Sequence, residues 1–221
     1  MNVLIIGASR GIGLEFVRQY RADGARVTAT ARDEAGLARL RELGAEAFAL
    51  DVADTASASG LAWRIDGQAF DVVIVNAGVT GPRLAAPQTP SQADFDAVMH
   101  VNVLGAMRIL PQVADALAPG AKLAVLSSRM GSIGLRSTGS SWLYRASKAA
   151  LNSVLKDMSF VLADRATCVA FHPGWVRTDM GGSAADLDVE RSVGDMRRTL
   201  VALKPSENGS FLNHDHQPLA W

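Results

Sequence analysis

Seven short runs, apolar at most positions, punctuate this chain: Val3 to Ile6, Ala25 to Ala31, Ala45 to Leu50, Phe70 to Val75, Lys122 to Ser127, Thr167 to Phe171 and Ser210 to Asn213. A strand with one wet face alternates apolar and polar residues, whereas a strand covered on both faces has no reason to alternate. Such runs predict buried strands of a parallel sheet. Between them, apolar residues recur three and four apart, as in Val98, Val101 and Leu104 or in Leu151, Val154, Leu155, Met158 and Leu162, the spacing of one helical face. Strand and helix alternating without an internal repeat or linker predict one domain over residues 1–221, an α/β, Rossmann-like doubly wound parallel sheet of about seven strands with helices on both faces. Two long helices are expected at about 91–118 and 142–163. Loops are expected from Gly78 to Pro90, which holds three prolines, and from Gly181 to about Asn208. In open α/β sheets ligands lie at the carboxyl ends of strands, and both loops leave such ends.

The first run breaks into Gly7-Ala8-Ser9-Arg10-Gly11-Ile12-Gly13 before a helical pattern resumes. A helix that begins on bare backbone offers unpaired N–H groups and a positive dipole end, where a pyrophosphate can sit. The spacing Gly-x-x-x-Gly-x-Gly differs from the commoner Gly-x-Gly-x-x-Gly, but glycine has the same uses: a tight turn, close approach to phosphate and close packing of helix on strand. The second run ends in Arg32, followed by Asp33. A carboxylate there would bind the ribose hydroxyl of NAD, and an Arg accommodates the phosphate of NADP. Arg32, with Arg10 nearby, predicts NADP(H) over NAD(H), because guanidinium pairs bidentately with phosphate. The competing reading has Arg32 and Asp33 neutralising each other at the surface.

Further features follow strand ends on the same edge: Asp51-Val52, Asn76-Ala77-Gly78, Ser127-Ser128 and His172-Pro173-Gly174-Trp175. Each alone is an ordinary cap or turn; together they mark one edge. Tyr144 and Lys148 stand four apart, on one face of a helix. A neighbouring cation lowers a phenol's pKa, so Tyr144 is expected to exchange a proton with a carbonyl or alcohol oxygen. Without the glycine loop this would be read as a surface pair; with it, a hydride donor and a proton donor belong to one reaction.

In these residues the chain resembles the short-chain dehydrogenase/reductases along essentially its whole length. Gly7 to Gly13, Asp51, Asn76-Ala77-Gly78, Asn102, Ser127-Ser128, Tyr144-x-x-x-Lys148 and Pro173-Gly174 stand in that family's order. The phrases Ser-Ser-Arg-Met-Gly-Ser-Ile-Gly and His-Pro-Gly-Trp-Val-Arg-Thr-Asp-Met-Gly-Gly, with Trp221, are similar to the C-factor or sniffer-type carbonyl reductase branch. The resemblance implies a carbonyl reductase, or the reverse alcohol dehydrogenase, with Tyr144 as general acid/base. Lys148 would be its pKa-lowering partner and a ligand of the nicotinamide ribose, Ser128 would bond the substrate oxygen, and Asn102 would hold a water linking Lys148 to solvent. For the cofactor it implies Gly7, Ser9, Arg10, Gly11, Ile12, Gly13, Asp51 at adenine, Val52, Asn76 at the adenosine ribose, Ala77, Gly78, Pro173, Gly174, Val176 and Thr178 at the carboxamide. Three departures stand out. Ile6 replaces a usual Thr; Ser128 and Tyr144 lie farther apart than is common, leaving Ser127, Ser132 and Ser141 as alternative hydroxyls; and the segment after Thr178 is short. The relatives pair their two long helices between subunits, implying a homodimer or homotetramer.

Lys plus Arg and Asp plus Glu number 22 each, so charge gives no reason to expect nucleic acid or an anionic membrane as partner. No basic leader precedes the first run and no segment approaches the roughly 18 apolar residues of a membrane span. The lone Cys168, among apolar neighbours, reads as a core residue in a reducing cytoplasmic setting. His214 and His216 lack a third metal ligand, so no metal is expected; His100 and His172 read as structural. Trp142, Trp175 and Trp221 are candidates to line the cleft. A rival reading is a non-catalytic NADP(H)-binding redox sensor or signalling protein, which needs the loop and Arg32 but not the acid.

Overall fold

The structure, a computed structural model, describes all residues except 84 and 86. The chain runs β1 (Asn2–Ile6), α1 (Gly11–Ala22), β2 (Arg26–Ala31), α2 (Glu34–Glu42), β3 (Glu46–Ala49), α3 (Thr55–Ser59), α4 (Leu61–Arg64), β4 (Phe70–Val75), α5 (Gln92–Met99), α6 (Gly105–Val113), β5 (Leu117–Leu126), α7 (Trp142–Val161), β6 (Ala166–His172), α8 (Val189–Ala202) and β7 (Ser210–Asn213). All strands are parallel, in the order β3-β2-β1-β4-β5-β6-β7. Val3, Leu4, Ile5 and Ile6 are wholly buried, and alternate residues feed opposite layers. Leu4 and Ile6 pack with Ile109, Leu110, Leu151 and Leu155, while Val3 and Ile5 pack with Phe16, Val17, Leu37, Met196 and Leu200. This double burial is the physical content of runs that do not alternate.

Each strand lies at its predicted run, and the order reverses between β1 and β4. That switch point opens a crevice at the carboxyl ends, above Ile6 and Val75.

Two sequence expectations are corrected. The expected helix over 91–118 is three pieces. A π turn over His100–Leu104 separates α5 from α6, and β5 already begins at Leu117. Pro119 and Gly120, the latter at φ +75°, cannot continue a helix, and they bulge from the ladder between Leu117 and Lys122. The charged stretch 181–208 is not all loop. Val193, Met196 and Leu200 make a buried stripe and fold α8 onto α1. The Gly78–Pro90 loop includes 84 and 86, which lie outside the described residues.

Candidate active site

The crevice begins on the glycine loop. Gly7 (φ +84°) and Gly11 (φ +54°) occupy left-handed backbone, which glycine adopts without steric cost. At Gly13 the demand is space, since a Cβ would stand 2.4 Å from the Gly7 carbonyl and 2.7 Å from Asn76 Nδ2. The Asn76 amide donates to the Gly7 carbonyl at 2.6 Å, so its role here is to hold the loop. The hydroxyl missing at Ile6 is replaced from β2, because Thr30 Oγ1 accepts from the Gly7 N–H at 3.0 Å. Helix α1 has no side-chain cap and no acidic residue in its first turn, which leaves its N–H groups and positive dipole end for an anion.

Arg32 is exposed on the crevice wall. Asp33 does not neutralise it: its carboxylate caps α2, accepting from Gly36 N at 2.7 Å. Among the described residues Arg32 forms no ion pair. Arg10 pairs with Asp179 at 3.0 Å across the crevice, both side chains largely exposed, so a stronger anion can exchange this partner at small cost. Asp51 turns inward to accept from Ala53 N at 2.9 Å.

At the other end stand Tyr144 and Lys148, on the first turns of α7. Lys148 is 4% exposed, its ammonium donates to the Leu126 carbonyl at 2.7 Å, and it lies 5.8 Å from the Tyr144 ring centroid. Burial pushes Lys148 down to about 8. The Tyr144 phenol is pushed above its ordinary value by burial, against the lowering effect of the Ser128 hydroxyl beside it. The expected lowering by Lys148 is therefore not what this site shows. The cation faces the ring and a carbonyl, so desolvation dominates the phenol oxygen.

Local contacts separate the four serines. Ser127 donates to Asn152 Oδ1 at 2.5 Å, Ser132 donates to the Trp221 carbonyl at 3.3 Å, and Ser141 sits in left-handed backbone at the start of α7. Ser128 is the one that faces the phenol, its oxygen also accepting from Met130 N at 3.1 Å. Asn102, 1% exposed, accepts from Val79 N at 2.8 Å and donates to the Val79 carbonyl at 2.8 Å and Ser147 Oγ at 2.9 Å. Both amide hydrogens and one lone pair of the carboxamide are thereby used within the protein.

Of the predicted residues, Gly7, Ser9, Arg10, Gly11, Ile12, Arg32, Asp51, Val52, Asn76, Ala77, Gly78, Tyr144, Lys148, Pro173 and Thr178 share one crevice wall. Gly13, Asn102, Ser128, Gly174 and Val176 stand behind it, Gly13 and Asn102 as supports. Val176 is 4% exposed and bridges to Leu187. The Thr178 hydroxyl closes its own turn, accepting from Gly181 N at 3.1 Å, and its methyl would meet a Cβ on Gly11 at 3.4 Å. Ser127, foreseen only as an alternative hydroxyl, also lines the wall, and Ala31, Leu50, Val79, Val101, Leu126, Asp179 and Met180 complete it and were not foreseen; only their places at strand ends or on a helix face signalled them. The tryptophans do not line it: Trp142 and Trp175 donate to the carbonyls of Gln88 and Gly181, and Trp221 stacks on Phe211. His214 and His216 bond Asp195 and Glu207, each at 2.8 Å. No described helix is long and apolar enough to cross a membrane.

The short chain dehydrogenase family profile matches residues 1–187. A Myxococcus xanthus protein, C-signal, is 38% identical over 154 residues, covering 68% of this chain and 92% of that protein. The carbonyl reductase Sniffer of Drosophila melanogaster superposes with a TM-score of 0.87 at 32% identity, covering 100% of this chain and 99% of that one. A carbonyl reductase from Pseudomonas aeruginosa PAO1, in complex with NADP, superposes with a TM-score of 0.86 at 31% identity and the same coverage.

Proposed function

This chain belongs to the short-chain dehydrogenase family, and on that premise we propose that it is an NADPH-dependent carbonyl reductase, catalysing also the reverse alcohol oxidation. The observation that carries the reading is one crevice with the glycine loop and Arg32 at one end and Tyr144 with Lys148 at the other. The residues fit the dinucleotide: an uncapped α1, a glycine loop folded so tightly that Gly13 leaves no room for a Cβ, and an Arg32 free of Asp33. Gly7 to Gly13 would hold the pyrophosphate and Arg32 the 2′-phosphate. Asp51, Val52, Asn76, Ala77 and Gly78 would border the adenosine side, and Lys148, Pro173, Gly174, Val176 and Thr178 the nicotinamide side. Likeness to a reductase crystallised with NADP supports the same choice.

When bound, the reduced nicotinamide supplies the hydride that goes to the carbonyl carbon. Tyr144 donates its proton to the carbonyl oxygen, and Ser128 donates a hydrogen bond to the same oxygen, so the alcohol leaves neutral. A phenol held above its ordinary pKa is protonated at neutral pH, the form that reduction requires. Lys148, its ammonium held on the Leu126 carbonyl and facing the Tyr144 ring, would present its charge to the nicotinamide ribose. Asn102 fixes Val79 to α7 through Ser147 and so keeps the two reactive elements in register. We read residues 1–221 as one cofactor domain acting in a reducing cytoplasm, where the buried, free Cys168 is at home. Assembly through the two long helical segments is supported by the exposed Met107 and Phe160.

NADPH consumption is measured with a panel of aldehydes, ketones and quinones. The proposal expects oxidation that depends on a carbonyl. Tight NADPH binding with no turnover on any member would favour a cofactor-binding sensor instead.

A further inference from the structure

Between Ser128 and Tyr144 the chain makes a loop whose far side is held by residues that stand distant in sequence. From β7 the chain turns back: Asn213 N donates to Gln217 O and Leu219 N to Phe211 O, both at 2.8 Å. The segment then ends its return with the Trp221 ring stacked on Phe211 at 5.5 Å. Three donors of the loop converge on one acceptor, the Trp221 carbonyl: Ile133 N at 3.1 Å, Gly134 N at 3.0 Å and Ser132 Oγ at 3.3 Å. Ser132 is wholly buried and also accepts from Leu135 N at 2.9 Å.

We propose that Trp221 is a positioning residue for Ser128. The coupling is short. Ser128 is bonded to Met130 N, and Gly131 packs directly on the Lys148 backbone, where a Cβ would stand 2.8 Å from its carbonyl carbon. Ser132, the next residue, is already on the Trp221 carbonyl. The turn that orients the Ser128 hydroxyl is thus clamped on one side by α7 and on the other by Trp221. The extra length between Ser128 and Tyr144 is taken up by this hook. Without the acceptor, two N–H groups and a buried hydroxyl lose their partner, and the loop must move to rehydrate them. Trp221 touches neither cofactor wall nor reacting atoms, so the effect appears on the proton side of the reaction alone.

The inference rests on the reductase reading above, and its test separates the two. The full chain is compared with a variant ending at Leu219 and with Trp221→Phe, using NADPH and 4-nitrobenzaldehyde; if the shortened chain does not fold, Trp221→Gly replaces it, which keeps the acceptor but frees it from the ring that anchors it on Phe211. Expected are a fall in kcat of about tenfold, as for a reacting group displaced by a fraction of an ångström, NADPH affinity within about twofold of the full chain, and parent behaviour for Trp221→Phe. An unchanged kcat overturns the proposal, and so does a parallel loss of kcat and NADPH affinity, which would report general loosening. If the full chain reduces no carbonyl, the reductase reading fails while this one is still decided by backbone amide exchange at Met130. Faster exchange in the shortened chain upholds the clamp and equal exchange removes it.

Discussion

Gly13→Ala adds one methyl at the tightest point of the glycine loop. Its Cβ would meet the Gly7 carbonyl oxygen at 2.4 Å, Asn76 Nδ2 at 2.7 Å and the Ala8 Cα at 2.9 Å, where ordinary contact begins at 3.4 Å. The nearest atom is backbone, so no side-chain rotation relieves the clash. Overpacking of this kind costs about 1–3 kcal/mol, and separating Asn76 from Gly7 O adds about 1 kcal/mol. If the loop shifts in the folded protein, about 3 kcal/mol appears as roughly a 150-fold loss of NADPH affinity. If the loop holds its shape, the same amount appears as lost unfolding free energy. Fluorescence titration with NADPH and urea unfolding together capture both. Gly60→Ala, at a glycine with nothing within 4 Å and φ −87°, is the control and should change neither. A Gly13→Ala protein with parent affinity and parent stability would refute the packing argument.

Arg32→Ala should weaken NADPH binding by about 1.5–3 kcal/mol, the range of a charge-assisted hydrogen bond, with NADH affinity nearly unchanged; equal losses for both would show that Arg32 does not read the 2′-phosphate. Thr30→Val keeps the shape of a wholly buried side chain but orphans the Gly7 N–H, and should cost about 1–3 kcal/mol in urea unfolding. His172 is held down to about 4, chiefly by burial and next by His214 and Arg129, and its Nδ1 is buried with no hydrogen-bond partner among the described residues. Between pH 6.5 and 4 the unfolded chain takes up a proton that the folded chain refuses, so stability falls as pH drops through that window. Relative to His172→Gln, the parent should lose up to about 3 kcal/mol there, and matching pH profiles would contradict it.

The strands were legible at their runs, most plainly where burial on both faces writes apolar residues at consecutive positions, as at Val3 to Ile6; the edge strand β3, with no fully buried residue, showed only as a short run between turns. The π turn at His100–Leu104 was not legible: it coincides with Asn102 bonding across the fold to Val79 and Ser147, and spacing carries no record of such contacts. Helix α8 hid behind its charges because three buried apolar residues, Val193, Met196 and Leu200, suffice to dock it. Spacing brought Tyr144 and Lys148 together but could not tell that the ammonium would face Leu126 O and the ring, which reverses the expected shift of the phenol. The choice among four serines needed Asn152 and Trp221, which occupy two of the alternatives from afar. Thr30 carried no signal at all: its use depends on β2 lying beside β1, a fact of topology.

The central claim is that the Tyr144 phenol delivers the proton in a crevice that also binds NADPH. Single-turnover reduction by Tyr144→Phe, measured beside NADPH affinity, tests it most directly. General acid–base catalysis contributes about 10²–10⁴-fold, so the rate should fall by that factor while the affinity for NADPH stays near the parent value. A Tyr144→Phe protein that reduces carbonyls at the parent rate would contradict the account.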